Sequence, residues 1–169
     1  MHVNDAPVHI EMMATESGHI VAIATLDAER SLNSLTLAMV DLLLPQLSAW
    51  ASDERVVAVV LRGRGERAFC AGGDVRALTQ FARTGEGDAN YPLNFFAREY
   101  RLDYAIREFP KPLVVWGTGV VMGGGMGLLL GAPFHVVTET TRMAMPEITI
   151  GLYPDVGGSY YLSRLPGRV

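Results

Sequence analysis

The segment Arg67-Ala68-Phe69-Cys70-Ala71-Gly72-Gly73-Asp74-Val75-Arg76 decides how the chain is read. It follows the apolar run Val56 to Leu61, whose length and β-branched content fit a buried strand, and it leads into a short helix expected from Val75. Paired glycines between a strand and a helix let another group approach the backbone closely. A second cluster, Met122-Gly123-Gly124-Gly125, repeats the arrangement. It lies between a strand expected over Leu113 to Trp116 and a helix over Met126 to Leu130, within a turn-rich stretch from Gly117 to Gly125.

Working outward, His9 to Ala14 and Ile20 to Leu26 read as two paired strands. From Thr36, a candidate N-cap, Leu37, Val40, Leu43, Leu44, Leu47 and Trp50 recur at helical spacing, with a kink expected at Pro45. Residues Arg62 to Asp74 read as one loop, and Thr84 to Pro92 as a soft connection to a helix over Leu93 to Glu108, which must stop before Pro110. Phe134 to Val137 is the next strand, and a last helix begins at Leu162 to Arg164. Strands alternating with helices, with no repeat or linker, predict one α/β domain over residues 1–169, ending where a further helical segment is expected.

At 49% hydrophobic and 19% charged, the 169 residues can bury a substantial core. No run of about 18 apolar residues predicts a membrane span. A net charge of −4 argues against a nucleic-acid partner. The lone Cys70 excludes an internal disulfide and, with no secretory signal in the N-terminal residues, points to the cytoplasm. Arg62, Arg64, Arg67 and Arg76 crowd the first glycine loop and could offset a phosphorylated ligand.

Three acids carry the candidate chemistry. Glu99 stands among Phe95, Phe96, Leu102 and Ile106 at helical spacing, so it projects from an apolar stripe, either as a desolvated carboxyl or in an ion pair with Arg98 or Arg101. Glu147 and Asp155 flank the turn Ile148-Thr149-Ile150-Gly151-Leu152-Tyr153-Pro154, where apolar neighbours could push their pKa values apart; Asp155 could instead cap a helix beginning near Gly157. If the second glycine cluster opens a helix, its free N–H groups and those of the first loop would form an oxyanion hole for a polarised carbonyl. The four histidines lack metal-ligand spacing, and neither a P-loop nor a G-x-S-x-G elbow is present, so no metal or nucleotide is expected.

These motifs, with Gly119 through Gly127, Met145-Pro146-Glu147 and Gly151 to Gly158, resemble in order and spacing the crotonase superfamily of acyl-coenzyme A enzymes. The resemblance covers about residues 10 to 169 and implies a ββα superhelix with stacked sheets and outer helices. Hydratases of the superfamily place a glutamate where this chain has Gly127. Glu99 before Tyr100, Glu147, and the stretch Pro154-Asp155-Val156-Gly157-Gly158 are instead similar to the 3-hydroxyisobutyryl-CoA hydrolases, which act in valine catabolism. That branch implies oxyanion-hole amides at Gly73 and Gly124. It implies Glu147 as nucleophile or as base for water, Asp155 orienting the substrate hydroxyl or protonating the thiolate, and a substrate pocket of Glu99, Gly124, Glu147 and Asp155. The substrate is then an acyl-CoA, with no separate cofactor, and the protein could form a homo-oligomer. The alternatives are an enoyl-CoA isomerase or hydratase using Glu147, and a non-catalytic acyl-CoA-binding subunit.

Overall fold

The computed structural model describes residues 6–165. Strands β1 (Val8–Ala14) and β2 (Ile20–Leu26) form an antiparallel hairpin, and α1 (Leu37–Ser52) follows. Thr36 caps α1 by accepting a hydrogen bond from Met39 N, and Met39, Val40, Leu43, Leu47 and Trp50 supply its buried face. The helix continues through Pro45, which is solvent-exposed, as is Asp41, whose carbonyl Pro45 has no N–H to bond.

From there the chain winds in a repeating pattern. A long strand is followed by a three-residue strand in a second sheet and then by helix: β3 (Val56–Gly63), β4 (Ala68–Cys70), α2 (Val75–Thr84) and α3 (Tyr91–Arg107) make the first turn. β5 (Leu113–Gly117), β6 (Val120–Met122) and α4 (Gly124–Gly131) make the second. β7 (Phe134–Val137), β8 (Arg142–Ala144), a 3-10 turn over Glu147–Ile150 and α5 (Gly158–Leu162) make the third. The large sheet has the order β1-β2-β3-β5-β7, parallel beyond the first hairpin, and the small all-parallel sheet has the order β4-β6-β8. This is the ββα superhelix that the sequence implied.

The three short strands correct the sequence reading, which left β4 inside a loop, β6 inside a turn and β8 unnoticed. Each has three residues, too few for a period of two to register. Gly119 makes the corner between β5 and β6, and a Cβ there would overlap Arg67 O. α3 begins two residues earlier than expected, because Pro92 is well suited to the first helical turn, where its missing N–H is not needed. α5 ends at Leu162, where a helix had been expected to begin.

Candidate active site

The carboxyl ends of β4, β6 and β8 lie side by side, and the three sequence motifs leave from them: residues 71–74 after Cys70, 123–125 after Met122, and 145–147 after Ala144. Parallel strands so arranged gather their following loops at one edge, where ligands of α/β proteins bind. There a cleft of about 90 Å³ is lined by Ala71, Gly72, Gly73, Gly123 and Gly124 together with Phe95, Phe96, Glu99, Glu147 and Asp155.

The two glycine bends meet. A Cβ built on Gly124 would lie 3.7 Å from Gly73 N, and one on Gly72 would lie 3.5 Å from Gly124 N. The first bend is fastened by Ala71 N donating to Leu32 O, by Leu35 N donating to Gly72 O and by Asp74 N donating to Leu35 O; Gly73 N–H has no backbone acceptor among the described residues. Gly124 opens α4, so its N–H has no acceptor within the helix and lies at the positive end of the helix dipole.

All three acids face this point. Glu99 is 2% exposed, and a Cβ on Gly124 would overlap Glu99 Oε1, so this carboxyl lies against the second glycine bend. Of its two suspected partners, Arg98 is bound by Asp41 at 2.5 and 2.7 Å, and among the described residues Arg101 makes no ion pair with Glu99. Burial, then the charges of Asp155 and Glu147, push Glu99 up to about 8. Glu147 is 6% exposed, its Oε1 stands 3.0 Å from where a Gly123 Cβ would be, and its Oε2 is buried without a hydrogen-bond partner among the described residues. Burial and, less, the charge of Asp155 raise its pKa. Asp155 does not cap α5; its Oδ2 accepts from Tyr100 Oη at 2.5 Å.

Sequence reasoning missed a fourth acid, Asp103, although its place four residues after Glu99 was the available signal. Both carboxyl oxygens are buried and have no hydrogen-bond partner among the described residues, and burial, with Glu99 and Asp155 nearby, holds its pKa well above the ordinary value. Gly127, Asp103 and Val156 meet: a Cβ on Gly127 would lie 2.5 Å from Val156 Cβ and 3.0 Å from Asp103 Oδ1, so no side chain fits at this position. Cys70, wholly buried, has its thiol pushed up to about 12 by desolvation and is inert.

The arginines divide, which corrects the expectation that all four serve a phosphorylated ligand. Arg62 binds Glu11 and Thr25, and Arg64 binds Asp27. Arg67 and Arg76, joined by Arg30, instead line a groove with Ser31 and Ser34 that shares Ala71, Gly73 and Val75 with the cleft. Among the described residues none of these three has a carboxylate within ion-pair distance.

A ββα superhelix with two converging glycine bends and a buried glutamate between them is the architecture of crotonases, and the chain belongs to that family: the model described as enoyl-CoA hydratase/isomerase matches residues 21–169. Within it, the chain is 44% identical over 159 residues to the mitochondrial 3-hydroxyisobutyryl-CoA hydrolase of Xenopus tropicalis, covering 94% of this chain and 40% of that protein. It is 42% identical over 137 residues to the small ribosomal subunit protein mS47 of Neurospora crassa, covering 81% of this chain and 27% of that one. The backbone matches the crystal structure of a carnitinyl-CoA dehydratase from Mycobacterium thermoresistibile with a TM-score of 0.85 and 43% identity, over 98% of this chain and 46% of that one. The chain thus spans less than half the length of these relatives. The hydrolase's name reads mitochondrial and lends no support to the cytoplasmic expectation. Among the described residues no helix is long and apolar enough to cross a membrane.

Proposed function

We propose that the chain forms the thioester-binding and reacting half of a hydrolase acting on a short 3-hydroxyacyl-CoA such as 3-hydroxyisobutyryl-CoA. The observation that carries this reading is Glu147 Oε2, a buried carboxyl oxygen with no hydrogen-bond partner among the described residues, in a cleft bounded by the glycine bends. A thioester oxygen seated between Gly73 N–H and Gly124 N–H would be polarised as it gains negative charge, an effect worth about 3–4 kcal/mol per donor in known oxyanion holes. Glu147 then either attacks the carbonyl carbon, expelling coenzyme A thiolate and leaving an acyl anhydride for water to cleave, or takes a proton from the water that attacks. Both routes consume one water and give free thiol and the hydroxy acid. Asp155 accepts the acyl hydroxyl or supplies the thiolate's proton, Phe95 and Phe96 hold the aliphatic part, and Glu99 stays protonated below about pH 8 as a donor at the acyl end. The adjoining groove of Arg30, Arg67 and Arg76 suits the phosphates of coenzyme A.

The hydratase reading is weakened by Gly127, whose surroundings leave no room for a second glutamate. The likeness to mS47, by name a ribosomal subunit protein, favours a second reading, in which the chain is a subunit of an assembly and catalytically silent. Thiol release from 3-hydroxyisobutyryl-CoA by the full-length protein tests both. Turnover lost in Glu147→Gln supports the hydrolase, turnover unchanged in Glu147→Gln refutes the role of Glu147, and binding with no turnover supports the silent subunit.

A further inference from the structure

Asp155 sits on the wall between two spaces. One is the cleft, and the other is an outer groove lined by Tyr100, Asp103, Tyr104, Tyr153 and Tyr161. The backbone beside it is firmly placed: Val156 and Gly157 take left-handed conformations (φ 43° and 80°), Val156 is buried against Gly127, and Gly158 N donates to Asp155 O. Nothing in that backbone fixes the Asp155 side chain, which is released from capping α5. What holds it is Tyr100, whose hydroxyl reaches Oδ2 at 2.5 Å from the outer side. Asp155 Oδ1 has no protein donor among the described residues.

Tyr100 is itself placed by α3. Its ring packs at 6.0 Å on Phe96, which lies edge-on to Phe95 at 5.6 Å, and both phenylalanines line the cleft. A hydrogen bond to a charged acceptor is directional and strong, so it selects one orientation of the carboxylate.

We infer that Tyr100 is a specificity-determining positioning residue: by occupying Asp155 Oδ2 from the outer groove it turns Oδ1 into the cleft as the acceptor for the hydroxyl of a 3-hydroxyacyl group. The inference rests on the proposed acyl-CoA site and adds to it a residue that touches neither thioester nor glutamate. Burial and the neighbouring Asp155 charge raise the Tyr100 hydroxyl above the ordinary phenol value, so it stays a donor throughout the working range. A site built to pair with a hydroxyl discriminates against the ester lacking it, because the half-buried Asp155 acceptor is then left without that partner in the cleft.

The test compares 3-hydroxyisobutyryl-CoA with isobutyryl-CoA on full-length wild type, Tyr100→Phe, Asp155→Asn and the double variant. Two readouts are used: kcat/KM for thiol release, and calorimetric binding of the non-hydrolysable thioether analogues of both esters. Tyr100→Phe keeps the ring and removes one donor, so the hydroxylated ester should lose about tenfold in kcat/KM and in affinity while isobutyryl-CoA changes less than about twofold. Asp155→Asn should lose the same preference, and adding Tyr100→Phe to it should cost nothing more, since the two act on one contact. Equal losses on both esters, no loss on either, or additive losses in the double variant overturn the inference. So does a wild type that binds both analogues equally. If neither ester is hydrolysed but the analogue preference is present and disappears in Tyr100→Phe, the hydrolase reading fails and the role of Tyr100 stands. If Tyr100→Phe does not fold, an undiminished preference in Asp155→Asn overturns the inference.

Discussion

Placing one methyl group on Gly127 probes the contact that holds the Asp155 loop on α4. A Cβ at this position would lie 2.5 Å from Val156 Cβ and 3.0 Å from Val156 Cγ2, where carbon atoms ordinarily rest about 3.5–4.0 Å apart. Val156 cannot yield easily: it is 7% exposed, and its φ of 43° already lies in a region that β-branched residues avoid. Relief must come from lifting the backbone around residues 155–157. Overpacking of this kind costs roughly 1–3 kcal/mol, and the better helix propensity of alanine returns about 1 kcal/mol. The net for Gly127→Ala is a loss of up to about 2 kcal/mol, read by calorimetry as a Tm lower by up to roughly 8 °C. Because the displaced segment carries Asp155, thiol release should fall by at least about tenfold, and Gly127→Glu should gain no hydratase activity. A Gly127→Ala protein as stable and as active as wild type would refute the packing of Val156 against α4 and with it the argument against a second glutamate.

At Gly124 an added methyl group would overlap Glu99 Oε1, so in Gly124→Ala the buried Glu99 carboxyl or the glycine bend must shift and kcat should fall by at least about tenfold; unchanged kcat would show that this bend and Glu99 do not set the reacting geometry. Glu99 has a folded-state pKa near 8, so it holds a proton that the unfolded chain releases above about pH 4.3. Its contribution is therefore fully present below that pH and is lost as pH rises through about 8. Glu99→Gln, neutral throughout, should gain stability over wild type progressively from about pH 5 to 9 in urea titrations, and Asp103→Asn should move the same way; a pH-independent difference would contradict the shifts. Asn33, wholly buried, donates from Nδ2 to Arg64 O and Ala68 O at 3.0 and 2.8 Å and accepts from Ala28 N at 3.0 Å, so Asn33→Ala should cost about 3 kcal/mol in chemical denaturation, and a loss below about 1 kcal/mol would show these bonds to be dispensable.

The long elements and the acid of the α3 stripe were legible because periodicity extends over many residues there: Leu37–Ser52 shows its buried face in sequence, and Glu99 lies among Phe95, Leu102 and Ile106 as the spacing required. The second sheet was not, since β4, β6 and β8 show themselves only through partners about 50 and 20 residues away along the chain. The glycine motifs could be read as bends, but their meeting depends on those pairings, and only the resemblance to crotonases implied it. Asn33 and Asp103 were overlooked for opposite reasons. Asn33 (φ 53°) works through a turn that joins distant loops, whereas Asp103 shares the Glu99 stripe and could have been found by continuing the spacing one turn.

The most direct measurement is the infrared difference spectrum of a ¹³C-labelled thioester carbonyl, carried by 3-hydroxyisobutyryl-CoA and bound to the full-length Glu147→Gln protein, which should bind without turning over. Two amides converging on the oxygen should move the carbonyl stretch to lower frequency than in water, and Gly124→Ala in the same background should return part of that shift. A bound carbonyl absorbing at its free-solution frequency would contradict the account.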